Sequence, residues 1–186
     1  MLAATFMIAQ QIAGKATRDA LFLTYFDVSQ LPMAMMAGAV VSVVAVVLMS
    51  RLLTRYPPAR LIPPLYLASA VLLAMQWYLA DSMPRLAAVA LYLHVSTLNS
   101  ILISGFWSVV NERFDPYSAK HVIAKLTAAT AFGGLLGGIA ANTVAATADT
   151  HAILLMLSGL HLTCAAAVAF LGKGQRHAGQ QRYLPR

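Results

Sequence analysis

Six long apolar stretches, separated by short polar connections, make up most of this 186-residue chain. Each stretch is close to the roughly 20 residues that a helix needs to cross a bilayer. None shows the alternation of apolar and polar residues typical of barrel strands, and an open sheet cannot satisfy its backbone in lipid, so we expect helices. The predicted spans are residues 2–26, 31–53, 61–80, 86–110, 122–146 and 152–171.

The composition favours the same interpretation. Apolar residues make up 60% of the chain and charged residues 10%, with a mean hydropathy of +0.72, whereas a soluble domain has about 25% charged residues. The sequence therefore predicts an all-α integral membrane protein, which we place in a bacterial inner membrane. We expect a six-helix transmembrane domain over residues 1–172 and a basic cytoplasmic tail over residues 173–186.

The distribution of charge along the chain predicts its topology. The formal net charge is +7, from 13 Lys and Arg residues against 6 Asp and Glu residues. Basic residues cluster at the second and fourth connections and in the tail, whereas Asp27, Asp81 and Asp149 lie at the odd-numbered connections. By the positive-inside rule, both termini and the even connections face the cytoplasm. Basic residues beside the spans suit lipid headgroups, and no compact basic face with aromatic residues suggests a nucleic-acid partner.

Two of the predicted helices carry a polar stripe. On the first helix, Gln11, Lys15 and Arg18 recur every three or four residues and therefore share a face. The stripe on the fourth helix is longer and consists of Ser96, Ser100, Ser104, Ser108 and Asn111. Because the striped helices open each set of three, we expect two three-helix repeats. Their first helices would line a cavity, as in one six-helix half of a transporter.

Lys15, Arg18 and Asp19 are charged residues near the middle of a predicted span. One interpretation is structural: Lys15 and Asp19 lie four residues apart and can pair, although the Lys-first order is the weaker one. Arg18 would then need another partner at membrane depth. We favour the interpretation that Lys15 and Arg18 face a water-filled cavity and bind an anion. Arg donates two parallel hydrogen bonds to a phosphate or carboxylate, and Lys adds a mobile charge.

Other polar residues inside the spans complete the predicted substrate site. Besides the two cations, we assign to it Gln11 and Asp19 on the first helix and His94 and Asn99 on the fourth. For His94 the competing explanation is a plain hydrogen bond to a neighbouring helix, which we rank above a role in a proton relay.

The fifth helix carries two overlapping GxxxG patterns, formed by Gly133, Gly134, Gly137 and Gly138. Small residues at this spacing let helix backbones approach closely. The pattern predicts helix packing, which is either static or a sliding interface, and we favour static packing.

Catalytic and metal-binding patterns do not stand out in this sequence. No H-E-x-x-H motif occurs, and His94, His151 and His161 have no carboxylate at ligand spacing. Cys164 is the one cysteine and lies in an apolar stretch, where a small core residue is the simplest explanation. We expect no enzymatic activity and no resident cofactor or metal.

Two short stretches resemble a known family. Residues 14–24, GKATRDALFLT, look like the first-helix signature of the ATP/ADP translocases, the nucleotide transporters of plastids and intracellular bacteria. Residues 106–114, FWSVVNERF, followed by SAK at 118–120, are similar to the end of that family's fourth helix. The resemblance implies a fold like that of the major facilitator superfamily, with Lys15 and Arg18 holding nucleotide phosphate. It also implies a cytoplasmic gate formed by Asn111, Glu112, Arg113 and Lys120.

These expectations together point to secondary transport. The expected solute is a nucleotide or another phosphate-bearing metabolite, moved by alternating access as in an antiporter. The chain resembles the N-terminal six-helix half of such a transporter, and one half cannot alternate access alone. We therefore expect a second six-helix half as partner, from the same gene product or from another subunit. The alternative is a non-transporting subunit that packs within a larger membrane complex.

Overall fold

The computed structural model of this chain is a bundle of long helices. It describes residues 1–113, 116–147 and 151–181, with side chains for residues 1–112, 123–146 and 151–171. A single 3₁₀ turn, Val28–Gln30, joins the first two helices. Within the described ranges there is no strand, as the sequence predicts. The helices are α1 (Leu2–Tyr25), α2 (Leu31–Leu53), α3 (Pro58–Ser82), α4 (Pro84–Arg113), α5 (Pro116–Thr147) and α6 (Ala152–Gln181).

Proline and aspartate residues mark where helical segments begin. Pro58, Pro84 and Pro116 are the first residues of their helices, a position where the missing N–H of proline has no helical partner in any case. Asp27 caps the 3₁₀ turn, because its carboxylate accepts the backbone N–H of Ser29 at 2.8 Å. This hydrogen bond lowers the pKa of the Asp27 carboxyl below its ordinary value.

Five of the helices, α2 to α6, are long and apolar enough to span a membrane. The chain therefore has the helices of an integral membrane protein. The helix α1 is not among the five, although the sequence predicts six spans. Lys15, Arg18 and Asp19 lie within five residues of one another on α1, and the neighbouring glutamines lower its hydropathy further.

The helices form a front row of four with a pair behind it. α1 and α4 contact each other at the centre of the row, with α5 beside α1 and α2 beside α4. Behind the row, α3 packs against α4 and α6, and α6 packs against α1. The apolar span of α2 is 6% buried and that of α4 is 50% buried. α4 is therefore the central helix, and α2 is attached to the bundle along one side.

A pair of glycines brings α5 against α1. A Cβ atom on Gly133 would overlap the carbonyl oxygen of Thr5, and one on Gly137 would overlap that of Ala9. Thr5 Oγ1 also donates to the carbonyl oxygen of Ala129 at 3.2 Å. One GxxxG pair therefore provides the helix packing that the sequence predicts.

The second GxxxG pair corrects part of that prediction. The Cβ position of Gly134 is 3.6 Å from Ile8, an ordinary contact, and that of Gly138 has no neighbour within 4 Å among the described residues. Gly134 lies roughly 100° round the helix from Gly133, and Gly138 lies at the same angle from Gly137. The prediction assigned all four glycines to packing, and Gly138 does not belong to it.

The third and fifth connections meet at one end of the bundle. Asp81, near the end of α3, has its carboxylate 3.3 Å from Nδ1 of His151, which immediately precedes α6. This contact agrees with helices that run alternately up and down. α6 continues to Gln181, past residue 173, where the sequence predicts the tail to begin. Side chains of the predicted tail lie outside those that the structure describes.

Candidate anion-binding groove

Polar side chains of α1 and α4 share one exposed surface of the front row, with α2 beside α4, and we call this surface the groove. The buried faces of α1 and α4 meet the helices behind, so the groove is on the opposite, open side. Ser96 lies at its centre. The Ser96 hydroxyl accepts a hydrogen bond from Arg18 of α1, and its Cβ is 3.3 Å from the Cβ position of Gly38 on α2. The groove residues are Lys15, Arg18, Asp19, Ser96, Ser100 and Ser104.

Three contacts fix the position of Arg18 in the groove. Its Nε donates to Asp19 Oδ1 at 2.8 Å, and its Nη1 donates to Ser96 Oγ at 3.1 Å. Its Cζ lies 4.7 Å from the centroid of the Tyr92 ring, an arrangement that contributes about 0.5–2 kcal/mol. The sequence suggested a Lys15–Asp19 pair. The structure pairs Asp19 with Arg18 instead, and the same guanidinium also reaches Ser96 of α4.

Lys15 lies one helical turn before Arg18 and is exposed. Within the described side chains it has neither a hydrogen bond nor an ion pair. Nη2 of Arg18 likewise has no hydrogen-bond partner among the described side chains, whereas Nε and Nη1 donate to Asp19 and Ser96. Both cations therefore retain N–H donors that the oxygens of an anion in the groove can accept.

The serines of α4 form part of the groove. Ser100 and Ser104 are exposed, and Ser108 is partly exposed. The hydroxyl groups of Ser100 and Ser108 donate to carbonyl oxygens of their own helix at 3.5 and 3.0 Å. Such hydroxyls keep free lone pairs and can rotate toward a ligand. These serines can therefore add neutral hydrogen bonds to the charged ones from α1.

The predicted gate lies at the C-terminal end of α4. Asn111 and Glu112 are exposed there. Arg113 ends the helix, but its side chain and that of Lys120 lie outside the described side chains. The gate therefore stays a prediction.

His94 lies away from the groove, between α3 and α4. Its Nε2 is 2.8 Å from Ser69 Oγ, and its Nδ1 is 3.3 Å from Gln76 Oε1. The hydrogen bond to a neighbouring helix, which the sequence offered as the competing explanation, is therefore present. The His94 ring points to the back of the bundle and not toward an anion at Arg18.

Two amides assigned to the site are buried. Asn99 is 4% exposed, and its Nδ2 lies 3.2 Å from the Cβ position of Gly14 with no hydrogen-bond partner in the described part of the chain. Gln11 is 8% exposed. Asn99 thus belongs to the contact between α1 and α4, beneath the open surface of the groove.

An apolar pocket continues the groove beyond Arg18. Phe22 and Phe26 of α1 stack with ring centroids 4.8 Å apart, and the Phe22 centroid is 5.0 Å from that of Tyr92. The pocket has a volume of about 150 Å³. Sequence reasoning missed Tyr92, although its position one turn before Ser96 indicates that it shares the polar face of α4.

The groove thus combines two cations and several hydroxyl groups, a set suited to binding an anion, and the buried Tyr92 ring lies against Arg18. Among the described residues, no three His, Cys, Asp or Glu side chains are grouped so that they could hold a metal ion. No protein-family model, curated protein or solved structure matches this chain.

Proposed function

We propose that this chain is the N-terminal six-helix half of a secondary transporter for an anionic solute that carries a phosphate group. Lys15 and Arg18 bind the anion, and a second six-helix half covers the groove so that access can alternate between the two sides. The resemblance of residues 14–24 and 106–114 to the ATP/ADP translocases makes nucleotides the first solutes to test.

The observation that carries this proposal is the exposed Lys15 beside Arg18 near the middle of α1. A charged side chain at the centre of a bilayer costs about 2.5–3.5 kcal/mol or more when it faces lipid. The Lys15 side chain is on the open side of the bundle, so its charge requires water or an anion at that place. A groove that a second half shields from lipid provides both.

The pattern of helix contacts supports an architecture of two repeats. Exchanging α1, α2 and α3 for α4, α5 and α6 converts the α1–α5 contact into the α4–α2 contact, and both occur. The same exchange converts the α3–α4 contact into the α6–α1 contact, which is also present. Internal repeats of this kind are typical of transporter halves. They favour a fold like that of the major facilitator superfamily.

A non-transporting membrane subunit is the second candidate. It is favoured by the contacts of Arg18, whose charge Asp19 already balances in part and whose guanidinium lies against Ser96 and Tyr92. In such a subunit, helices of a partner fill the groove, and Lys15 contacts a carboxylate or a carbonyl group of that partner.

The test compares the binding and uptake of labelled ATP, ADP and uncharged adenosine by the protein in proteoliposomes. Arg18→Ala removes both the charge and the paired donors, while Arg18→Lys keeps the charge. We expect Arg18→Ala to weaken nucleotide binding about tenfold to a hundredfold, because a hydrogen bond to a charged group contributes roughly 1.5–3 kcal/mol. Arg18→Lys should weaken nucleotide binding less than Arg18→Ala does, since a point charge remains.

Arg60→Ala is the matched control, because Arg60 is exposed in the first turn of α3, behind the front row. Gel filtration and circular dichroism check the folding of each variant. Equal binding of adenosine and nucleotides would rule out the proposed anion site. Unchanged nucleotide binding by a folded Lys15→Ala/Arg18→Ala protein would also rule it out. Because one half cannot alternate access alone, uptake is measured with the second six-helix half present, and nucleotide binding without uptake would then favour the membrane subunit.

A further inference from the structure

We propose that the solute of the groove is an amphiphilic anion, in which a phosphate or carboxylate is joined closely to a compact apolar ring or short chain. The anionic group binds Lys15 and Arg18, and the apolar group fills the pocket beside them. This inference rests on the proposed function and narrows its class of solute. It depends on the juxtaposition of a cationic site and an apolar pocket that share Tyr92.

The chemistry of the pocket points to an apolar group. About 150 Å³ is available, and closed apolar cavities of about this size bind benzene. A single ring, or a chain of about six carbons, therefore fills it. The walls are apolar or aromatic over most of their extent and include Phe22, Phe26, Met33, Ala37, Tyr92 and Leu93.

The pocket and the cations are close enough for one small molecule to occupy both. The Arg18 guanidinium lies 4.7 Å from the centroid of the Tyr92 ring, and Phe22, on the pocket wall, lies 5.0 Å from the same ring. Arg18 and Phe22 are one helical turn apart, which is a rise of about 5.4–6 Å. A ligand that uses both sites therefore has its anionic group close to its apolar group, as in phenyl phosphate.

The same pocket suits a nucleobase poorly. A base presents hydrogen-bonding groups on its edges, and leaving such a group buried without a partner costs about 1–3 kcal/mol. Gln30 is the one amide on the pocket wall. Its Oε1 already accepts the backbone N–H of Asp27 at 3.2 Å. Nucleotides would then bind through phosphate, with the base outside the pocket.

The test uses the purified protein in nanodiscs of zwitterionic lipid, titrated with inorganic phosphate, phenyl phosphate and uncharged phenol. We expect phenyl phosphate to bind about tenfold more tightly than inorganic phosphate, because the phenyl ring is removed from water. Ala37→Leu fills the pocket and should abolish this difference without changing the affinity for inorganic phosphate. Ala39→Leu is the matched control: Ala39 is exposed two residues further along α2 and does not line the pocket.

The outcomes separate this inference from the proposed function. If neither phosphate nor phenyl phosphate binds, the proposed anion site itself fails. If inorganic phosphate and phenyl phosphate bind with equal affinity and Ala37→Leu changes neither affinity, the anion site is retained. The proposal of an amphiphilic solute is then overturned. Val89→Phe fills the same pocket from α4 and replaces Ala37→Leu if that variant does not fold.

Phosphatidic acid in the nanodiscs distinguishes the two sources of such an anion. If the lipid suppresses phenyl phosphate binding to the wild-type protein, a lipid phosphate headgroup supplies the anion at Lys15 and Arg18, and the compact amphiphile is overturned. If phenyl phosphate binding is unchanged by the lipid and lowered by Ala37→Leu, the ligand is a soluble amphiphilic anion.

Discussion

At the residue scale, Asp19 controls the charge that the groove presents. Its carboxylate accepts the hydrogen bond from Arg18 Nε at 2.8 Å, and its side chain is 47% exposed. It therefore stabilises Arg18 when the groove holds no ligand. An anion bound to Lys15 and Arg18 would lie close to the same carboxylate, and like charges at short distance repel each other. Under the proposed function, Asp19 therefore limits the affinity for anions.

Asp19→Asn should consequently bind phosphate more tightly than the wild-type protein, by up to about fivefold, since exposed charge interactions contribute about 0.2–1 kcal/mol. Calorimetric titration in nanodiscs at low ionic strength measures the change, which should shrink at high salt because the charges are screened. Asp81→Asn, at the end of the bundle, is the control. Weaker binding by Asp19→Asn would show instead that Asp19 holds Arg18 in its binding position.

Spacing along a helix predicted part of the groove and could not predict the rest. Lys15, Arg18 and Ser100 lie on the faces expected of them, because the direction of a helical side chain follows from its position in the turn. The surroundings of His94 depend on α3, which supplies Ser69 from 25 residues away. Which helix is the neighbour is a property of the folded bundle, so the sequence left the role of His94 open.

At the scale of elements, the α1–α5 contact predicts different effects of substitution at the neighbouring residues Gly137 and Gly138. Gly137→Ala should lower the free energy of unfolding by about 1–3 kcal/mol, because its Cβ would overlap the Ala9 carbonyl and no side-chain rotation relieves a clash with backbone. Gly138→Ala should be neutral, or stabilising by up to about 1 kcal/mol through helix propensity. Unfolding in SDS-containing micelles, followed by circular dichroism, measures both. Equal losses would contradict the described contact.

The glycine pattern shows how far an element can be inferred from sequence alone. Two overlapping pairs share the GxxxG spacing, so the sequence assigns all four glycines to helix packing. The choice of Gly133 and Gly137 follows from the side of α5 on which α1 lies. For α1 itself, the sequence predicted the helix but could not show that Arg18 contacts Ser96 and Tyr92 of α4.

At the scale of the whole molecule, the alternation of helix ends is the feature to test. Cys164 is the one native cysteine and is buried, so introduced cysteines can be labelled with little background. Arg55 and Asp81 lie near opposite ends of α3. Arg55→Cys and Asp81→Cys should therefore react with an impermeant maleimide from opposite sides of the membrane. Reaction of both from one side would contradict a membrane-spanning α3.

The packing scheme also dictates how the protein can be made. In the described part of the chain, α1, α2 and α3 share no substantial interface with one another, and each packs against helices that follow residue 84. Translation delivers the first three helices before those partners exist. The charged α1 must therefore be sheltered by the insertion machinery until α4 and α5 leave the ribosome. We therefore expect a chain that stops after α3 to form no stable bundle, because these helices lack their packing partners.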